Sequence, residues 1–169
     1  MVNIVNTTIT FSLSTPLKLN YLASRLWNVE YDPKKYNGLK LRLRNPQCTA
    51  LVFSTGRCVL VGANCFDEGR KAIRIIARKI SKLISGVNLT EIRLKNCVAS
   101  GKINFPPETL KDAITKNGIE WSYEPELFPA LIFKLNSINV TAFHTGTIFL
   151  TGSTSEVHIL STFIDICLL

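Results

Sequence analysis

Three segments of this 169-residue chain occur twice, in the same order and at nearly the same separation. A duplicated unit constrains the fold more than any other feature of the sequence, because both copies must satisfy one architecture. Asn3-Ile4-Val5 returns as Asn96-Cys97-Val98, 93 residues on. Tyr31-Asp32-Pro33-Lys34-Lys35-Tyr36 returns as Tyr123-Glu124-Pro125-Glu126-Leu127-Phe128, 92 residues on. Phe53-Ser54-Thr55-Gly56 through Val61-Gly62 returns as Phe143-His144-Thr145-Gly146 through Thr151-Gly152, 90 residues on. The interval from Tyr36 to Phe53 is 17 residues and that from Phe128 to Phe143 is 15. Losing one residue from each strand beside a hairpin turn explains the difference, with turns at Asn45-Pro46 and Asn136-Ser137. The two copies are residues 1–89 and 90–169.

Within the first copy, residues 2–11 alternate as a strand. Pro16 suits the first position of a helix, and Leu19, Leu22, Ala23 and Leu26 then fall at helical spacing. A short strand is expected near 28–32. In residues 38–44, Leu39, Leu41 and Leu43 lie on one face of a strand and Lys40, Arg42 and Arg44 on the other. Apolar runs at 48–53 and 57–62 flank a Ser-Thr-Gly turn and read as a hairpin. Residues 66–84 read as a long helix, with Ala72, Ile73, Ile76, Ile80 and Leu83 inward and Arg70, Arg74, Arg78 and Lys82 as an outward stripe. The second copy repeats this order and ends in a helix at about 154–167.

Two such units joined edge to edge bury the strand edges that each would otherwise expose. Helices then cover one face and leave the other bare. That face is expected to carry Asn3, Val5, Val59, Val61, Asn96, Val98, Phe149 and Thr151, which are mostly apolar and uncharged. Such a surface needs a partner. Lys40, Arg42, Arg44 and Arg57 surround it. The chain carries +8 overall, and the charge is unevenly shared. Residues 1–89 hold 14 Lys/Arg against 4 Asp/Glu, whereas residues 90–169 hold 6 against 8. A basic half beside a bare sheet points to a polyanion.

Other classes find little support. The five cysteines lack zinc-site spacing, and buried free thiols are expected. His144 and His158 have no nucleophile or paired carboxylates at motif spacing, and no phosphate-binding glycine loop is present, so no enzyme, metal or cofactor is expected. No apolar run is long enough to span a membrane, and the first residues lack the pattern of a signal peptide, which points to an intracellular protein.

A shallow apolar face with two matched asparagines and flanking cations suits the minor groove of DNA. The groove floor offers mainly acceptors on A·T pairs, and guanine's amino group projects into it. Arginine and lysine at the periphery bind phosphates. Tyr36, Phe53, Phe128 and Phe143 recur at matched positions, and aromatic wedges between base steps kink DNA from this groove.

The segments Ser122–Phe133 (SYEPELFPALIF), Thr49–Gly56 (TALVFSTG), the YDPKKY run and both Asn-x-Val strands resemble the core domain of the TATA-box-binding protein family, over essentially the whole chain. The resemblance implies an α+β fold: two tandem repeats forming a saddle, one continuous curved antiparallel sheet with helices on the convex face. It implies double-stranded promoter DNA as ligand, transcription factor IIB, transcription factor IIA and associated factors as partners, and the nucleus as location. Asn3, Val5, Asn96 and Val98 match groove-floor positions. Phe53, Phe128 and Phe143 match three of four intercalating phenylalanines, with Tyr36 in the fourth place. Lys35, Arg42, Arg57 and Lys134 match phosphate-contacting positions, and Glu124, Glu126 and Leu127 match a patch that binds transcription factor IIB. Val61 stands in place of a threonine that Thr151 keeps in the second copy, and Phe149 in place of a smaller residue. These departures support an alternative: a family member that keeps its protein partners but has lost or altered DNA recognition.

Overall fold

The structure, a computed structural model, describes residues 1–104 and 107–169. It contains two compact units, one formed by Asn6–Lys95 and the other by Met1–Val5 with Asn96–Leu169. Both divisions fall inside long strands, β1 (Val2–Leu13) and β6 (Leu89–Lys102), so each strand contributes to both units.

In the unit Asn6–Lys95, β1 is followed by α1 (Leu19–Arg25), β2 (Val29–Glu30), β3 (Gly38–Arg44), β4 (Gln47–Phe53), β5 (Arg57–Ala63) and α2 (Phe66–Ser81). Side chains along a strand alternate between faces, and burial follows that period. Ile9, Phe11, Leu39, Leu41, Ala50, Val52, Cys58 and Leu60 are buried in one core with Leu22 of α1 and Ala72, Ile73, Ile76 and Ile80 of α2. Arg70, Arg74 and Arg78 of α2 are exposed, as an amphipathic helix requires. The Cys65 Sγ caps α2 by accepting from the Glu68 N–H at 3.5 Å, and Asp67 and Glu68 sit at the positive end of its dipole.

The other unit repeats the order with α3 (Pro107–Lys116), β7 (Trp121–Glu124), β8 (Phe128–Leu135), β9 (Ile138–Phe143), β10 (Thr147–Ser153) and α4 (Glu156–Leu168). Cys97, Ala99, Leu131, Val140, Ala142, Ile148 and Leu150 of its strands are buried, together with Leu110 and Ile114 of α3 and Ile159, Phe163 and Ile166 of α4. Ser155 caps α4, its Oγ accepting from the His158 N–H at 3.3 Å. Ser155 thus does for α4 what Cys65 does for α2.

Among the described residues, the strands form one ten-stranded sheet in the order β2-β3-β4-β5-β1-β6-β10-β9-β8-β7. The order reads the same from either end when the copies are exchanged. The expected shortening is visible in the registers. The β3–β4 hairpin pairs from Gly38↔Phe53 to Arg44↔Gln47. The β8–β9 hairpin pairs from Ala130↔Phe143 to Leu135↔Ile138, one residue shorter in each strand. Its turn residues Asn136 and Ser137 have φ of 49° and 66°, the left-handed geometry that matches a tight hairpin's twist.

Three sequence expectations need correction. Pro16 does not open α1, whose N-cap is Lys18. The Leu17 N–H instead donates to the Ser54 carbonyl at 2.7 Å, which holds the segment across the neighbouring turn. The second helix ends at Ser81, and Leu83 and Ile84 close it by donating to the Ile80 carbonyl. The repeat offset at β1 is 90, not 93. The burial sequence of residues 2–11 is reproduced position by position in residues 92–101, so Asn6, and not Asn3, corresponds to Asn96.

Gly56 and Gly146 end the β4 and β9 turns with φ of 86° and 77°, and an added Cβ would lie 2.7 Å from the carbonyl oxygens of Leu13 and Ile103. Gly86 has φ of 77° but open space around it. Gly56→Ala and Gly146→Ala should each cost roughly 2–3 kcal/mol in urea unfolding, and Gly86→Ala about 1 kcal/mol, since only the first two add overlap to backbone strain.

Candidate nucleic-acid interface

Residues directly opposed in an antiparallel ladder share a face, so the registers arrange the uncovered side of each unit into rows. In the unit Asn6–Lys95 one row runs Thr8, Val61, Thr49, Arg42 and the next Thr10, Val59, Leu51, Lys40. In the other unit the matching rows run Val98, Thr151, Asn139, Lys134 and Ser100, Phe149, Thr141, Ile132. The structure therefore gathers Val59, Val61 and Arg42 on one face, and Val98, Phe149, Thr151 and Lys134 on the other unit's counterpart. Three of the four rows end on a long cationic side chain, Arg42, Lys40 or Lys134, whereas the fourth carries Phe149 in its second place and ends on Ile132.

Each face carries, on β1 or β6, an asparagine that sequence matching only half found. The Asn6 Oδ1 accepts from the Gly62 N–H at 2.8 Å, and the Asn96 Oδ1 accepts from the Gly152 N–H at 3.0 Å. Both glycines sit where the ladder skips a residue: Thr7↔Ala63 follows Thr8↔Val61, and Ser153↔Cys97 follows Thr151↔Val98. A bulge of this kind leaves a backbone group without its ladder partner. The asparagine supplies it, and the bond fixes the amide's orientation. With the oxygen committed to the bulge, the NH2 group is what each side chain has left to offer a ligand acceptor. The offset of 90 shared with Phe53 and Phe143 was the signal for Asn6; matching on the Asn-x-Val triplet led to Asn3 instead. Asn3 and Val5 are exposed on β1 and occupy the positions of Arg93 and Lys95 in the repeat.

Aromatic rings stand beside the faces. Tyr36 and Phe53 lie 6.0 Å apart between centroids at 62°, and Phe128 and Phe143 lie 5.7 Å apart at 70°. Tyr36 and Phe128 are 39% and 44% exposed, high values for large rings that core packing would hide. Phe149 adds a third ring, 6.1 Å from Phe143 at 85°.

Cations are concentrated on one unit. Asn6–Lys95 holds 16 Lys/Arg against 5 Asp/Glu, and the remaining residues hold 4 against 7. Arg42 and Lys40 are tied to Glu30 of β2, the Lys40 Nζ at 3.0 Å and the Arg42 guanidinium at 3.4 Å. The Lys40 hydrogen bond, then the charges of Lys40, Arg42 and Lys35, hold the Glu30 carboxyl below its ordinary value. These pairs are exposed and therefore exchangeable for phosphate. Lys35 pairs with Asp32 at 3.7 Å, and Arg57 is exposed at the start of β5 opposite Ser12. Glu124 opposes Phe128 across β7 and β8, and Leu127 projects beside it at 81% exposure.

The cysteines divide. Burial pushes the thiols of Cys48 and Cys97 up to about 11 and that of Cys58 up to about 12, while Cys65 is half-buried and Cys167 exposed, contrary to uniform burial. Among the described residues no cluster of His, Cys, Asp or Glu could hold a metal ion, and no helix is long and apolar enough to cross a membrane.

Replacing either bulge asparagine should destabilise the chain. Asn6→Ala and Asn96→Ala should each cost about 1 kcal/mol in urea unfolding, the worth of one hydrogen bond. Asn3→Ala should stay within about 0.5 kcal/mol of the parent, as for an ordinary surface site. Equal losses at all three would refute the assignment.

A family model described as transcription factor TFIID, or TATA-binding protein, matches residues 1–83 and 91–167. TATA box-binding protein-like 2 of Mus musculus is 36% identical over 94% of this chain and 46% of its own length. The TATA-box-binding protein of Saccharomyces cerevisiae is 35% identical over 94% of this chain and 66% of its own. The chain spans about half the length of the first of these relatives. The solved structure of Methanococcus jannaschii TBP superposes with a TM-score of 0.81 at 30% identity, covering 98% of this chain and 95% of that one. These relatives are transcription factors and not enzymes. The chain belongs to the TATA-binding protein family.

Proposed function

We propose that this chain is a nuclear transcription initiation factor that binds the minor groove of A·T-rich promoter DNA through the open faces of its two repeats. The observation that carries this is the matched pair of asparagine amides. Adenine N3 and thymine O2 are acceptors on the groove floor, and each amide has its NH2 to give. A guanine would instead present a donor. Val59, Val61, Val98 and Thr151 supply flat contact around the amides, and Thr8 joins them. Arg42, Lys35, Arg57 and Lys134 bind phosphates. Phe53, Phe128 and Phe143, with Tyr36 in the fourth place, enter base steps at the ends of the site. The bend that such wedges produce is a property of the family carried over to this chain, not one read from its geometry. Glu124, Glu126 and Leu127 form the docking patch for transcription factor IIB, through which polymerase is recruited; transcription factor IIA and associated factors are further partners.

A second reading is favoured by one observation: the unit with Asn96 is acidic and carries Phe149 where the other has Val59. On that reading the chain binds transcription factor IIB while its DNA recognition is altered or lost. A gel shift separates the two. The first requires a TATA duplex to be held at least about tenfold more tightly than its G·C-substituted form, with dyes on the duplex ends drawn together on binding. The second requires no such preference, while charge reversal at Glu124 and Glu126 abolishes binding of transcription factor IIB.

If DNA is bound, Arg42→Ala should weaken it more than Lys134→Ala, because Arg42 lies in the more cationic unit. Each loss should flatten the dependence of log affinity on log salt by about 0.9, the signature of one phosphate contact. Glu30→Gln should tighten binding, since it releases Lys40 and Arg42 from a competing anion.

A further inference from the structure

We infer that the outward face of α4 is a pairing surface for a second copy of this chain, with the two α4 helices packed antiparallel about a two-fold axis. Ile159, Thr162, Phe163 and Ile166 of α4 are buried within their own unit. On the opposite side of the helix, Val157 and Leu168 are 78% exposed and Ile164 is 57% exposed, with Leu160 half-buried beside them. A helix that is apolar all round is ordinarily covered all round. Here one side packs on the unit and the other meets solvent. The inference is independent of the DNA-binding reading, because α4 lies behind the sheet from the open rows.

The repeat supplies an internal control. Gly69, Ala72, Ile73 and Ile76, buried in α2, align with the four buried residues of α4 at an offset of 90. At that offset Asp67, Arg70, Lys71, Arg74 and Arg78, all exposed, stand where α4 has Val157, Leu160, Ser161, Ile164 and Leu168. The fold therefore accepts charge at these positions and does not itself call for hydrocarbon. Ser161 is the polar member of the stripe, and its Oγ donates to the His158 carbonyl at 3.0 Å. That bond turns the hydroxyl back on the helix and leaves a small side chain at the middle of the stripe, where a second helix can come close.

The charges on α4 say what covers it. Val157, Leu160, Ile164 and Leu168 recur at three- and four-residue spacing, the seam of a helix pair. The helix carries no Lys or Arg, but His158 and Asp165 are both exposed, seven residues apart and so on one flank of the stripe. A two-fold axis midway between them, at Ser161 and Thr162, reverses the second helix. Each His158 then brings an imidazole N–H to the carboxylate of the other copy's Asp165. The Asp165 Oδ2 accepts from the Asn136 Nδ2 at 2.7 Å, which holds the carboxylate in place, and Oδ1 takes the imidazole. The same axis drops the apolar side chains of each copy between those of the other. A surface that carries both members of its own polar pair, in the order a two-fold exchanges, is complementary to itself. One helix about 20 Å long on each side makes a small interface, so the dissociation constant should be on the order of 10 μM.

The test is sedimentation equilibrium of the chain from about 1 to about 200 μM, with circular dichroism to follow the fold of each variant. The parent should fit a monomer and dimer in exchange. Ile164→Arg with Leu168→Arg installs the residues that α2 carries at the matching positions, and should raise the dissociation constant at least about a hundredfold. Thr141→Arg, on the open face of the same unit, should leave it within about threefold. His158→Glu sets two acids together and should weaken the dimer about tenfold, and adding Asp165→Lys should restore it. A parent that stays monomeric at about 200 μM overturns the inference and leaves the stripe to a helix of another protein. A dimer indifferent to the arginine pair, a dimer lost with Thr141→Arg, or a His158→Glu defect that Asp165→Lys does not relieve would each overturn it as well.

Discussion

A sheet covered by helices on one face must divide the residues of every strand between hydrocarbon and whatever meets the other face. That division sets nearly everything else in this chain. The inward positions are filled by Ile9, Phe11, Leu39, Leu41 and Leu60 in one unit and by Leu131, Val140, Ile148 and Leu150 in the other, all essentially inaccessible to solvent. Because the period is two, the outward positions follow without further choice. Slipping a strand by one residue would expose the core and bury Arg42 or Lys134. The open face is thus kept in register by the core behind it.

The bulges at Gly62 and Gly152 interrupt this regularity, and an asparagine repairs each interruption. The same side chain therefore serves the fold through its oxygen and keeps its NH2 group for the role proposed above. Other outward positions carry no such double duty, and there the copies have drifted: Val61 against Thr151, Val59 against Phe149, Lys40 against Ile132. The drift extends to charge. Most of the cations lie in Asn6–Lys95, and the acidic patch with Leu127 lies in the other unit.

Much of this was legible in the sequence because it rests on local periodicity. The alternation of residues 38–44, the face of α2 from Ala72 to Ile80 and the hairpin turns at Asn45-Pro46 and Asn136-Ser137 emerged at the expected residues. The start of α1 was not legible, because a distant carbonyl, that of Ser54, decides what the Leu17 N–H does. The Asn6 assignment failed for a related reason. Its distinguishing property is a bond to Gly62, 56 residues away, whereas Asn3 had the more tempting neighbours in the chain. The third ring at Phe149 was visible as a residue, but its contact with Phe143 depends on which strands are adjacent.

The boundary between the units lies between Val5 and Asn6 and between Lys95 and Asn96, not between the two copies of the sequence. Ile92 and Leu94, which the repeat assigns to the second copy, pack on the core of the first, and Thr90 donates to the Ser12 carbonyl there. Met1–Val5 is lent in the opposite direction. A cut between residues 89 and 90 would strip Ile92 and Leu94 from one core and leave Met1–Val5 apart from the unit they belong to, so the copies of the sequence are not the units of the fold.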